Sequence, residues 1–168
     1  ITLAKNSQNQ LADGGQSDYD TVIYSACPLT FSGSGFLQIN GNVEEGVVSE
    51  SDLLINDGNY RIITKGDGLQ TSGREAGSIT ISDGYLYMEA GGNGIASKSD
   101  LTIHGGTIIS QSGAGAENGG LQAGGKLLIQ DGIVLATGKQ LTMPDQTSRQ
   151  KSIAMQYDAV EKAGTVAD

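Results

Sequence analysis

The stretch 94–119, GIASKSDLTIHGGTIISQSGAGAENG, decides how this chain is read. It holds three short alternating segments, around Ile95, Leu101 and Ile108, parted by Ser, Asp and Gly; this is the pattern of strands joined by tight corners. Cutting the chain before each Gly-aliphatic pair gives three more units like it: GVVSESDLLINDGNYRIITKGD (46–67), GLQTSGREAGSITISDGYLYMEAGGN (68–93) and GLQAGGKLLIQDGIVLATGKQ (120–140). A degenerate fifth, VIYSACPLTFSGSGFLQINGNVEE (22–45), precedes them. Leu29, Leu53, Ile79, Leu101 and Leu127 recur at intervals of 24, 26, 22 and 26 residues, about one turn of a three-sided coil. The fold class expected is all-β, a right-handed parallel β-helix.

Period-two alternation then divides the side chains between inside and outside. Inward ladders are expected on each face. The first has Leu29/Leu53/Ile79/Leu101/Leu127 and Phe31/Ile55/Ile81/Ile103/Ile129. The second has Leu37/Tyr60/Leu86/Ile108/Val134 and Ile39/Ile62/Met88/Ser110/Ala136. The third has Ile23/Val47/Leu69/Ile95/Leu121, with Ser25/Ser49/Thr71/Ser97/Ala123 beside it. Stacked rungs hold one another and no single rung is stable alone. The narrow interior accounts for the absence of Trp and for only 2 Phe. A leucine-rich repeat would need helices and an asparagine ladder, and a nonapeptide calcium repeat would need a much shorter period.

Composition agrees with small repeated units: 26 of the 168 residues are Gly, and aromatic residues are 5%. Nineteen acidic against ten basic residues give a net charge of −9, which repels phosphate backbones and anionic lipid, so nucleic acid is an unexpected partner. Membrane insertion is unexpected too, because no apolar run approaches the ~18–20 residues a span requires. Cys27 is the only cysteine and forms no internal disulfide. The chain opens on Ile1 within a strand-like segment, which predicts further rungs upstream, with 1–138 forming rungs and the aperiodic, charged 139–168 a cap over the terminal edge. Exposed coil ends can also associate edge to edge, giving a homodimer.

The units EEGVVSESDLLINDG, GDGLQTSGREAGSITISDG and GNGIASKSDLTIHGG, with VIYSACPLTFSGSGFLQING before them and an ITLA opening strand, resemble a bacterial carbohydrate-binding domain family found in secreted clostridial and other Gram-positive proteins. The resemblance covers about residues 1–138, with a weaker match at EKAGTV. It implies a polysaccharide-lyase-like β-helix that binds calcium and plant-cell-wall-type polysaccharide, secreted or on the cell surface. The unit GLQAGGKLLIQDG departs from the pattern, having lost the acid before its repeat Gly.

Stacking turns repeated acids into clusters. Glu45, Asp67 and Asn93 precede the repeat Gly, with Glu44 alongside; Asp57 and Asp83 occupy a second corner, followed by Asp131; Asp52 and Asp100 a third; and Asp18 and Asp20 lie in an acidic loop. Carboxylates on adjacent rungs repel and invite a cation, and calcium, which accepts six to eight oxygens in flexible geometry, suits them best. The same positions also suit turns, where Asp and Asn bond the local backbone. His104 stands alone, and no Cys/His set for zinc exists.

Sugar recognition needs an exposed ring flanked by hydrogen-bonding groups. Alternation sends Tyr85 and Tyr87 outward, with Asn59 and Arg61 on the rung below and Phe36 two rungs below Tyr85. These five are the candidate ligand-binding residues. The leading expectation is a non-catalytic polysaccharide-binding module stabilised by calcium. A calcium-dependent lyase, with Arg61, Lys65 or Arg74 as base, and a structural stalk are the alternatives.

Overall fold

The structure, a computed structural model, describes residues 1–14, 20–73 and 77–155, and among these there is no helix. Each turn of chain gives one strand to each of three sheets. The first turn supplies β1 (Thr2–Leu3), β2 (Gln8–Ala12) and β3 (Thr21–Ser25), and the second β4 (Leu29–Gly33), β5 (Phe36–Gly41) and β6 (Glu45–Ser49). Next come β7 (Leu53–Ile55), β8 (Asn59–Thr64) and β9 (Leu69–Thr71), then β10 (Ile79–Ile81), β11 (Tyr85–Ala90) and β12 (Ile95–Ser97). The last are β13 (Leu101–Ile103), β14 (Thr107–Gln111) and β15 (Leu121–Ala123), closed by β16 (Leu127–Ile129) and β17 (Ile133–Thr137). Strands three apart in order pair in parallel, giving two six-stranded sheets and one five-stranded sheet. This is the parallel β-helix that the repeat predicts.

Register follows the ladders residue by residue. Leu53, Ile79, Leu101 and Leu127 are successive partners in the first sheet, as are Tyr60, Leu86 and Ile108 in the second and Val47, Leu69 and Ile95 in the third. Slipping one strand by one residue would turn its buried side chains to water, so burial fixes the register. Leu86, Ile79, Ile81, Ile95, Leu101, Ile103 and Ile108 are wholly buried, and each contributes roughly 1.5–3 kcal/mol relative to exposure. The interior does admit aromatic rings: Phe31 and Tyr60 meet edge to face, centroids 5.8 Å apart. The Tyr60 hydroxyl donates to the Asp57 carbonyl at 2.8 Å. Burial, helped by the charge of Asp57, pushes its phenol up to about 12.

The small polar ladder of the third sheet is buried but satisfied, which keeps its cost low. Thr71 Oγ1 donates to the Gly77 carbonyl at 2.8 Å, and Ser97 Oγ to the Asp100 carbonyl at 2.7 Å.

Two glycine columns set the corners. Between the first and second sheets, Gly58, Gly84, Gly106 and Gly132 all take positive φ (126°, 112°, 88° and 102°), a region that suits glycine. Between the second and third, the repeat glycines Gly46, Gly68 and Gly94 lie under the next rung's backbone. A Cβ at each would come within 2.7 Å, 2.5 Å and 2.6 Å of the carbonyl oxygens of Gly68, Gly94 and Gly120. Close stacking, rather than φ, therefore explains the Gly-aliphatic signature.

Beyond β17 the chain returns across the end of the first sheet. Asp145 N donates to the Leu127 carbonyl at 2.7 Å and Gln150 N to the Ile129 carbonyl at 3.0 Å, so part of the exposed β16 edge is paired.

Candidate functional site

The outer surface of the second sheet is built by parity. In β11, Leu86 and Met88 face the core, so Tyr85, Tyr87 and Glu89 face out. Pairing stacks these positions into columns. Gln8, Phe36, Asn59, Tyr85 and Thr107 form one, and Gln10, Gln38, Arg61, Tyr87 and Ile109 form the next. All five sequence-predicted ligand residues, Phe36, Asn59, Arg61, Tyr85 and Tyr87, are thereby brought onto one face.

Their contacts divide the roles. Tyr85 is 43% exposed, leaving apolar surface available to a ligand. Tyr87 is engaged: its hydroxyl donates to Glu89 Oε1, and the Arg61 guanidinium sits over its ring, 5.9 Å from the centroid. The hydrogen bond to Glu89 chiefly holds the phenol proton and raises its pKa above the ordinary tyrosine value, against the opposing pull of Arg61. Arg61, Tyr87 and Glu89 thus form a frame, cation over ring and hydroxyl to carboxylate, beside an open ring. Lower on the same face, Gln38 Nε2 donates to Asn40 Oδ1 at 3.0 Å, and an open depression of about 250 Å³ is lined by Gln8, Asn9, Gln10, Phe36 and Gln38. Sequence reasoning missed Glu89 and these glutamines. Glu89 shares the parity of Tyr85 and Tyr87 and was findable from alternation; Gln8 and Gln10 precede the recognisable repeats.

The acid corners resolve into distinct arrangements. Asp57 and Asp83 each accept the N–H of the glycine that follows, Gly58 and Gly84, at 2.7 Å, and Asp131 does so from Gly132 at 2.8 Å. Asp52 caps the Ser78 N–H at 2.9 Å and Asp100 the Lys126 N–H at 2.7 Å. Ser78 occupies the rung between these two acids, so they are not neighbours. Asp67 accepts from Asn93 N at 2.6 Å, Asn93 Nδ2 at 3.1 Å and Gln70 Nε2 at 3.1 Å, and Asn93 Oδ1 accepts from Gly119 N at 3.0 Å. In these ladders each carboxylate or amide ties a corner to its own or the next rung.

Glu45 is different. Partial burial, then the charges of Glu44, Asp67 and Asp20, raise its pKa above the usual glutamate value, with its own backbone N–H acting the other way. After β2, Asp13 Oδ2 accepts the Val43 N–H at 2.9 Å, while Asp13 Oδ1 is buried without a hydrogen-bond partner. The structure therefore brings Glu44, Asp67 and Asp20 near Glu45 in one acidic corner, while Asp13, which sequence reasoning missed, ties the loop after β2 to Val43. Among the described residues, no three His, Cys, Asp or Glu side chains converge as a metal cage. Asp18 and Arg74 lie outside the described residues.

On the third sheet, outward Ala96 lies between Gln70 and Gln122, leaving an open depression of about 390 Å³ that Asp67, Asn93 and Lys98 also line. Lys98 Nζ donates to the Gly73 carbonyl. Among the described residues, no aromatic ring lines this depression.

Neither the curated proteins nor the solved structures yield a match. A family model described as "Carbohydrate-binding domain-containing protein" matches residues 1–167, extending past the rungs into the terminal segment. Membership of this family supports a carbohydrate-binding role and a carbohydrate partner for the chain. The chain belongs to the carbohydrate-binding domain-containing protein family.

Proposed function

We propose that this domain is a non-catalytic module that binds extended polysaccharide of the plant-cell-wall type on the outer face of its second sheet, and that it works as a secreted or cell-surface protein. The observation that carries this reading is the exposed Tyr85 ring beside the Arg61–Tyr87–Glu89 frame. A ring face packs against sugar C–H groups, while Arg61 and Asn59 offer donors and Glu89 an acceptor to hydroxyls. These groups stand on paired strands, so little conformational entropy is lost when a ligand settles on them. Arg61 is directed to Tyr87 rather than to the acidic corner, which favours a binding role for it over that of a lyase base.

Calcium belongs to the same proposal, at the corner around Glu45 where Glu44, Asp67 and Asp20 lie near it, with fewer than three side chains as direct ligands. Support comes from the raised Glu45, whose like-charged neighbours a hard cation relieves. Backbone carbonyls and water would complete the coordination. Calorimetric titration against soluble cellulosic and pectic polymers, with calcium and with chelator, tests the reading. Heat of binding that Tyr85→Ala weakens severalfold is expected; no heat with any polymer in either condition would overturn it.

A further inference from the structure

We propose that the bound glycan runs along the coil axis, one sugar per rung over four rungs, with Phe36 and Tyr85 as its two stacking platforms. This rests on the reading of the second sheet's outer face as the carbohydrate site and adds the direction and length of the ligand. Gln8, Phe36, Asn59 and Tyr85 are successive partners in one column. Rungs repeat at about 4.8 Å, so the two rings lie roughly 9.6 Å apart. That is close to a disaccharide repeat in an extended, equatorially linked chain, whose alternate rings present the same face. Asn59 then faces the intervening sugar, and the depression beside Phe36, lined by Gln8, Gln10 and Gln38, receives the fourth.

A transverse path, along β11, would need Tyr85 and Tyr87 as the paired platforms. Tyr87 is poorly placed for that, because Arg61 covers its ring and its hydroxyl is committed to Glu89. Above Tyr85 the columns continue as Thr107 and Ile133, and as Ile109 and Leu135, so hydrogen-bonding support fades and the path ends there. Below, the amides continue to the first rung. The axial footprint is thus bounded by chemistry at its upper end and open to polar contact at its lower end.

The test is calorimetric titration of the domain with β-1,4-linked glucose oligomers from dimer to hexamer, with oligogalacturonates as a parallel series. In the series that binds, affinity is expected to rise up to the tetramer and then level off. Phe36→Ala and Tyr85→Ala should each weaken the tetramer by about fivefold to tenfold, and Phe36→Tyr and Tyr85→Phe should retain binding. Melting temperatures of all variants show that the coil is intact. A silent Phe36→Ala alongside losses from both Tyr85→Ala and Tyr87→Ala would make the path transverse and overturn the proposal. Polymer binding untouched by either ring would also overturn it and move the site off this face, whereas polymer binding with neither oligomer series recognised would overturn it while leaving the module's function standing. No binding of any polymer or oligomer by the wild type would remove both.

Discussion

Replacing Gly84 with Ala tests the corner that delivers Tyr85 to the surface. Gly84 takes φ of 112° and lies one rung above Gly58, so a Cβ there would stand 2.7 Å from the Gly58 carbonyl oxygen. Holding Ala at such a φ costs about 1–3 kcal/mol. Relieving the contact means moving a backbone carbonyl that already accepts the Tyr85 N–H at 2.8 Å, which adds about 1–3 kcal/mol of overpacking. The stiffer unfolded chain returns only about 0.4–1 kcal/mol. The net loss is about 1–6 kcal/mol, and a loss near the middle of that range, about 3 kcal/mol, lowers the melting temperature by roughly 6–12 °C for a domain of this size. Urea unfolding followed by far-ultraviolet circular dichroism measures it, with Gly14→Ala as control, since a Cβ at Gly14 meets nothing within 4 Å. If Gly84→Ala were as harmless as Gly14→Ala, the account of the corners as close-stacked, glycine-dependent turns would be wrong.

Further expectations concern the core, the titrating groups and the metal. Leu86→Ala removes a wholly buried side chain held between Tyr60 and Ile108 and should cost about 3–5 kcal/mol by denaturant unfolding. Tyr60 stays protonated in the fold to about pH 12 while the unfolded chain ionises near 10. The unfolded state therefore binds fewer protons across that window, stability falls as pH rises through it, and Tyr60→Phe should flatten that part of the stability profile. Glu45 has a folded pKa above the ordinary glutamate value, so its contribution to stability also declines as pH rises from the ordinary glutamate range through the raised value. Glu45→Gln should accordingly melt no lower than wild type at neutral pH without calcium, and calcium should raise the melting temperature of wild type but not that of the variant. Tyr87 should titrate above an ordinary tyrosine by ultraviolet absorbance, and Glu89→Gln should bring it back down.

The ladders were legible because the coil repeats one local rule: inward residues are apolar at period two, and each unit returns to the same face. Even Ser110, a polar residue within an aliphatic ladder, was placed inward by register alone, and its hydroxyl is satisfied by the Gly120 carbonyl at 2.6 Å. What sequence could not fix was the direction in which a side chain turns once its position is known. Asp57 and Asp83 stack on adjacent rungs as expected, yet each bends back to its own glycine N–H. Asp52 and Asp100 share a corner, yet a serine rung separates them. Tyr85 and Tyr87 look equivalent in sequence, yet one ring is open and the other is held by Arg61 and Glu89. Asp13 escaped notice because it lies before the recognisable repeats, and only the folded corner brings it to Val43.

The most direct test of the central claim is amide and side-chain chemical-shift mapping while the domain is titrated with the glycan it binds. The account predicts shifts concentrated at Phe36, Asn59, Arg61, Tyr85 and Glu89 on the outer face of the second sheet. Shifts confined to the depression around Ala96 on the third sheet, or to the acidic corner, with the second sheet unmoved, would contradict it.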